Sequence, residues 1–259
     1  MSTVISISNQ KGGVGKTTTC INLGASLAVM EKKVLIVDSD PQGNATSGLG
    51  LTAKTRHRTL YEIIFNNAPC RVCVHSTELN YLSIIPSSPD LVGMDLAMAG
   101  SVAREFILKE RIASLTQEFD FILIDTPPSL GLLTVNALCA ANFVLIPLQC
   151  EYYALEGMTQ LMGTVGEVQK KVNPNLSILG VILTMFDKRN RLSFQVEKEA
   201  RKHFSSLTFS SKIPRNVRLS EAPSHGKPAL LYDLRSTGTQ AYINLAREVM
   251  NRVLEITRR

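Results

Sequence analysis

No uncharged apolar stretch in the chain approaches the ~18 residues that a membrane span requires, so a transmembrane role is not expected. Tryptophan is absent and aromatic residues make up only 6%. No basic run is interleaved with aromatics, which excludes an evident stacking platform for single-stranded nucleic acid. The five cysteines are odd in number and irregularly spaced, which argues against a disulfide framework. Cys20, Cys139 and Cys150 lie in apolar settings and read as reduced core residues. The stretch CRVCVH supplies Cys70, Cys73 and His75, but no second Cys/His pair follows at zinc-site spacing, so a metal is not expected there. There is no internal repeat, low-complexity tract or linker. A strand-like run starts at Thr3, which leaves no signal peptide and predicts a cytoplasmic protein.

What is present suits one large α/β domain spanning residues 1–259, with 44% hydrophobic and 19% charged residues. Short apolar runs at 4–8, 33–38, 82–85, 119–125, 143–148, 179–184 and 207–213 read as strands. Helix-length segments at 16–30, 102–118, 154–171, 192–204 and 239–256 fall between or after them. Several of the runs are β-branched and apolar throughout, as strands covered on both faces should be. The alternation predicts an α/β fold, a doubly wound, mostly parallel sheet with helices on both faces. Residues 44–100, rich in Gly, Pro, Ser and Asn, read as connecting loops and short helices. Charge is unevenly placed. Residues 1–184 carry 13 Lys/Arg against 15 Asp/Glu, whereas residues 185–259 carry 15 against 7, so all the excess positive charge lies in the last third. Such clustering suits a partner with a phosphate backbone, and suits a solvated basic surface equally well.

The stretch NQKGGVGKTT, residues 9–18, joins the first strand to the first helix. Gly12, Gly13 and Gly15 let backbone N–H groups turn inward around phosphate oxygens, with Val14 between them, and the helix N-terminus adds positive potential. Lys16 can reach the β- and γ-phosphates, and the Thr17 hydroxyl, followed by Thr18, can ligate Mg²⁺. The pattern departs from the general phosphate loop G-x-x-x-x-G-K-[ST]: Gln10 stands where the first glycine belongs, and an additional lysine, Lys11, follows it. Lys11 precedes the glycines and is poorly placed to serve its own loop. Two other strand ends supply carboxylates, VLIVDSDPQGNAT with Asp38 and Asp40, and FILIDTPPS with Asp125. An apolar strand ending in Asp is how nucleotide hydrolases present a metal-side carboxylate. Asp125 is therefore assigned to Mg²⁺ through water, Asp40 to the attacking water and Asp38 to a share of the metal shell, the spacing alone not separating Asp38 from Asp40.

These motifs, together with QCEYYALEGM and IPRNVRLSEAPSHGKP, resemble the ParA/Soj family of chromosome- and plasmid-partitioning ATPases with a deviant Walker A motif, over almost the whole chain. The resemblance implies ATP and Mg²⁺ as cofactors, a sandwich homodimer with two nucleotides at the interface, weak intrinsic hydrolysis of ATP to ADP and phosphate, and stimulation by a ParB-type centromere-binding partner. It implies that the lysine at Lys11 crosses to the partner's phosphates while Lys16 serves its own, that Asp40 supports hydrolysis, and that Gly12 must be small for the dimer to close. It implies non-specific binding of double-stranded DNA by the ATP dimer, through arginines at Arg189 and Arg218, hence a nucleoid-associated protein. Lys188, Arg191, Arg201, Lys202 and Lys227 are additional candidates for phosphate contact. Pro214 and Asn216, in the IPRN segment, are expected to close over the adenine. The strand starting at Thr3 leaves no room for the N-terminal helix-turn-helix extension of some plasmid relatives, so operator binding is not expected.

Three other readings compete. A MinD-like membrane-cycling regulator of the division site needs a basic amphipathic C-terminal helix. Here the apolar stripe Tyr242, Leu245, Ala246, Val249, Val253 and Ile256 reads as core packing, with Glu248 and Glu255 interrupting the basic face. A redox iron protein needs cluster cysteines that are missing near DTPPSLGLL. A passive nucleoid protein has no use for Asp40, Asp125 and both lysines.

Overall fold

The computed structural model describes residues 2–151 and 154–258, with the backbone alone for 154–159. Tyr152 and Tyr153 of the QCEYYALEGM motif lie outside the described residues. In chain order the elements are β1 (Thr3–Ile7), α1 (Lys16–Ala28), β2 (Val34–Asp38), α2 (Asn44–Gly48), α3 (Leu60–Phe65), β3 (His75–Ser76), β4 (Leu82–Ile85), α4 (Met94–Ala97) and α5 (Ile107–Ile112). There follow β5 (Phe121–Asp125), α6 (Leu132–Ala140), β6 (Phe143–Gln149), α7 (Ala154–Lys171), β7 (Ser177–Phe186), α8 (Arg191–Phe204), β8 (Thr208–Pro214), α9 (Val217–Glu221), α10 (Ala229–Tyr232) and α11 (Thr237–Thr257).

Among the described residues, eight strands share one sheet in the order β3-β4-β2-β5-β1-β6-β7-β8. Only the short edge strand β3 runs antiparallel. Alternate residues feed two cores. Leu35, Val37, Ile122 and Ile124 pack with apolar residues of α3, α5, α6, α7 and α8. Val34, Ile36, Phe121 and Leu123 pack with those of α1 and α11. This double coverage is why β2 and β5 are apolar at every position before their terminal aspartates. The winding places β5 between β2 and β1, and the register sets both Asp38 and Ile7 beside Asp125. The carboxyl ends of these three strands therefore meet at one place, where ligands of such sheets bind.

The expected helix over 102–118 is not continuous. Ala103 has φ 57°, which prevents a helix from running through it, and a 3₁₀ turn, the short α5 and a second 3₁₀ turn follow. Helix α6 is an addition to the sequence reading. Its residues LLTVNALCA are mostly buried, so they show little amphipathic period. The C-terminal stripe packs as expected at Tyr242, Leu245, Ala246, Val249 and Val253, while Ile256 stays 37% exposed. No described helix is long and apolar enough to cross a membrane. All five cysteines are free and buried, and Cys70 Sγ donates to the Arg111 carbonyl at 2.9 Å.

Candidate active site

The loop between β1 and α1 is shaped by two left-handed glycines, Gly13 (φ 74°) and Gly15 (φ 90°), a conformation that a side chain would strain. Gly15 is the N-cap of the 13-residue α1, which has no side-chain cap and no acidic residue in its first turn. The free N–H groups and the positive helix end are thus left for an anion. The loop is held from behind. Asn9 Nδ2 donates to the Pro147 carbonyl at 2.6 Å, its Oδ1 accepts from Lys11 N at 3.0 Å, and the Thr184 hydroxyl donates to the Val14 carbonyl at 2.7 Å.

The two lysines point to different partners. Lys16 is buried, and its Nζ donates to the carbonyl of Lys11 at 3.1 Å, inside the loop. Burial lowers its pKa, while Asp125 and Asp40 oppose that shift. Lys11 turns away from the loop and forms an ion pair with Glu151 at 2.7 Å. Glu151 is in turn bonded by the Gln149 side-chain amide.

The three aspartates occupy distinct environments. Asp38 is fully buried, and its Oδ2 accepts from the Thr46 N–H at 2.8 Å and the Thr46 hydroxyl at 2.6 Å. Its Oδ1 accepts from Asp40 N at 3.3 Å. Burial pushes its carboxyl up to about 6 despite these bonds. Asp38 thus organises the segment after β2. Asp40 Oδ1 accepts from Gln42 N at 3.0 Å, and its backbone carbonyl accepts from the Ser87 hydroxyl at 2.6 Å. Asp125 is fully buried, and both of its side-chain oxygens lack a hydrogen-bond partner. Burial raises its pKa well above the carboxylate range, and Asp38 adds to the rise, while Thr17 and Lys16 pull it back. Its backbone carbonyl is fixed by Ser39, through N–H at 3.0 Å and hydroxyl at 2.6 Å.

A buried carboxylate without partners is costly. Here it sits beside a phosphate loop and a threonine hydroxyl, which fits a hydrated Mg²⁺ on a bound nucleotide. Among the described residues no three His, Cys, Asp or Glu side chains could hold a metal by themselves, so phosphate and water would complete its shell. A cavity of about 570 Å³ runs from Gly15 and Thr18 to Pro214, Arg215 and Asn216, with Tyr242 and Met185 on its wall. Its size and its start at the loop suit a nucleoside. Asn216 caps α9 through Arg218 N at 2.9 Å and donates to the Thr237 hydroxyl at 2.9 Å.

The basic candidates are spread over several elements. Lys188 and Arg189 lie in the β7–α8 connection, where Arg189 grips Asp187 with two bonds of 3.1 and 3.0 Å. Arg191 is exposed at the start of α8. Arg218 pairs with Glu221 at 2.9 Å and Asp233 at 3.3 Å, and Lys227 pairs with Glu78 at 2.9 Å. Arg201 and Lys202 pair with Glu197 and Glu199 of their own helix, at 3.0 and 3.8 Å.

Known proteins place this geometry. A family profile described as an AAA domain matches residues 2–178. The chromosome partitioning protein ParA of Myxococcus xanthus is 53% identical over 249 residues, which cover 96% of this chain and 88% of that one. The sporulation initiation inhibitor protein Soj of Bacillus subtilis is 51% identical, with 96% and 98% covered. The chain belongs to the ParA/Soj family. Among solved structures, cobyrinic acid a,c-diamide synthase from Mycobacterium smegmatis with bound ADP and magnesium superposes with TM-score 0.85 at 33% identity, covering 96% of this chain and 94% of that one. The cell division ATPase MinD of Pyrococcus furiosus gives TM-score 0.81 at 29% identity, with 97% and 99% covered. The ParA/Soj motifs thus lie on a MinD/ParA-type fold, with the three carboxylates and two lysines around one set of strand ends.

Several supporting residues carry no signal in the sequence. Thr184, Ser39, Thr46 and Ser87 are single small polar residues, and each acts by one or two bonds to the loop or to an aspartate. Glu151 stands 140 residues from Lys11, and only the β1–β6 neighbourhood brings them together.

Proposed function

We propose that this chain is a single-domain, Mg²⁺-dependent ATPase that acts as a DNA-partitioning switch. ATP is held by the loop 11–18, with Gly12, Gly13, Val14, Gly15 and Thr18 around the phosphates, Lys16 on the β- and γ-phosphates and the base in the cavity near Pro214 and Asn216. Thr17 and Asp125 would hold Mg²⁺, Asp125 through water, with Asp38 fixing the neighbouring segment. The ion supplies charge neutralisation on the phosphates. Asp40 orients the attacking water and accepts its proton as the new P–O bond forms and the bond to the ADP leaving oxygen breaks. Lys16, and Lys11 from a second ATP-bound copy, stabilise the charge that develops. The closed homodimer binds double-stranded DNA without sequence preference. Hydrolysis, weak alone and stimulated by a ParB-type partner, releases it.

The observation that carries this reading is the contrast between the lysines: Lys16 is folded into the loop, and Lys11 is turned out of it onto Glu151. A cation that does not serve its own loop is free to serve a partner's, in the manner of an arginine finger. Gly12 supports the same reading. It is exposed, and a Cβ there would meet only Pro128 Cβ at an ordinary 3.8 Å, so the monomer itself does not require glycine. The test is sedimentation of the chain with ATP, with ADP and without nucleotide. Dimer with ATP alone supports the reading; the same mass in all three states contradicts it. A MinD-like membrane cycle is disfavoured by the C-terminal helix, whose apolar stripe is buried at five of six positions.

A further inference from the structure

Beside the segment that carries Asp40 lies a cavity of about 540 Å³ that the nucleotide reading does not use. One wall comes from the chain between Gln42 and Arg56, the other from the turn after α9, between Pro223 and Gly226. The two walls meet backbone to backbone at Gly50 and Gly226. A Cβ on Gly226 would stand 2.7 Å from Gly50 Cα, and one on Gly50 would stand 3.1 Å from the Gly226 carbonyl oxygen. A side chain at either position would push the walls apart, so this contact sets the width of the cavity.

Arg56 is half-buried in the lining and forms no ion pair among the described residues, and no carboxylate lines the cavity. Its side chain makes one hydrogen bond among the described residues, from Nη1 to the Ser87 carbonyl at a long 3.4 Å. The same nitrogen lies 3.6 Å from the place a Cβ on Gly43 would take. A guanidinium presents a planar fork of N–H donors, so most of this fork is unused within the chain. Leu51 and Pro223 add apolar surface. A lone guanidinium in a concave, partly apolar pocket suits a compact ligand with a phosphate group, which the fork can hold by two parallel bonds.

The cavity is also connected to Asp40. The Ser87 carbonyl accepts from Arg56, and the Ser87 hydroxyl donates to the Asp40 carbonyl at 2.6 Å. From the cavity wall, Gln42 N donates to Asp40 Oδ1 at 3.0 Å and Gly43 N to the Asp40 carbonyl at 2.9 Å. A ligand on Arg56 therefore acts on residues that fix the Asp40 segment.

We propose that this cavity binds a small organic phosphate through Arg56, and that its occupant shifts the segment bearing Asp40. The second half rests on the role given to Asp40 above; the first half does not.

The test is a titration of the isotope-labelled full chain, followed by amide NMR. The chain is saturated with Mg²⁺ and a slowly hydrolysed ATP analogue, so that the phosphate loop is filled. The probes are ribose 5-phosphate, inorganic phosphate and ribose, each against wild type, Arg56→Gln and Arg56→Lys. Ribose 5-phosphate should shift the Gly43, Gly50 and Gly226 amides saturably, inorganic phosphate more weakly, and ribose not at all. Arg56→Gln should weaken binding about tenfold or more, as loss of a charge-assisted bond does, and Arg56→Lys by less. Neither should change affinity for the ATP analogue, a check on folding. Saturating ribose 5-phosphate should also change the rate of ATP turnover in wild type and leave it unchanged in Arg56→Gln. Equal binding by wild type and Arg56→Gln, or no saturable shift at these glycines with either phosphate, overturns the site. Saturable binding with unchanged turnover overturns the link to Asp40. A wild-type chain that hydrolyses no ATP contradicts the proposed function instead, and the amide shifts still decide the site.

Discussion

At the scale of single residues, the proposal divides labour among groups that look equivalent in the sequence. Replacing Lys16 with Ala removes the phosphate anchor and should abolish ATP binding and every ATP-dependent step, as measured by nucleotide titration. Replacing Asp40 with Ala should spare ATP binding and prolong the ATP state, because it removes the contact to the attacking water and, within the chain, only the side-chain bond from Gln42 N. Equal loss of DNA binding in the two variants would show the division to be wrong. Gly12→Ala should leave the melting temperature nearly unchanged, since a Cβ there meets only Pro128 Cβ at 3.8 Å, yet weaken the ATP dimer in sedimentation. Glu151→Gln releases Lys11. Their side chains are 34% and 45% exposed, so the pair is screened and is worth ~0.2–1 kcal/mol. Two such pairs are released per dimer, so ATP-driven dimerisation should tighten by a factor of about thirty at most. A weaker dimer in that variant would mean that Glu151 supports closure instead of competing with it.

At the scale of elements, the segment after β2 is organised around a buried carboxylate, and this has a pH signature. Asp38 rises from 3.8 to about 6 on folding, chiefly through burial. The folded state therefore keeps a proton that the unfolded state loses. The stability this contributes is fully present below pH 3.8 and lost as pH rises through about 6. Two pKa units correspond to about 3 kcal/mol. Asn at position 38 can still accept from Thr46 and carries no charge. The stability difference between Asp38→Asn and wild type should thus be small near pH 4 and grow to as much as about 3 kcal/mol by pH 7, read from denaturant melts at each pH. A difference that does not vary with pH would exclude this account of Asp38. The phosphate loop, β2 and β5 were legible in the sequence because each joins an apolar strand to a chemically unusual end. Helix α6 was not, because a helix buried on most sides shows little period. The break at Ala103 was hidden because alanine favours helix, so nothing in the residue marks a left-handed position. The polar braces at Ser39, Thr46, Ser87 and Thr184 were hidden for a simpler reason. Ser39, Ser87 and Thr184 depend on partners 86, 47 and 170 residues away, Thr46 on one eight residues back, and no local pattern encodes them.

At the scale of the whole molecule, the charge asymmetry acquires a location. The excess of cations in residues 185–259 is not spread evenly. Arg201, Lys202, Arg218 and Lys227 form ion pairs with acids, whereas Lys188, Arg215 and Arg235 form none among the described residues and line one groove together with Asp187. That groove and the cavity at the phosphate loop meet at the ends of β7 and β8, where Pro214 and Arg215 line both. The sequence showed that the last third is basic and that the first loop has two lysines; the fold brings the ends of β7 and β8 next to that loop. Arg189→Glu should lose DNA binding while keeping ATP-driven dimerisation, since it lies outside the nucleotide cavity. The measurement that tests the central claim most directly is the affinity of the chain for duplex DNA with ATP, with ADP and with a slowly hydrolysed ATP analogue, across a salt series. The account predicts tight, steeply salt-dependent binding with ATP and the analogue, and weak binding with ADP. Equal binding in all three nucleotide states would contradict it.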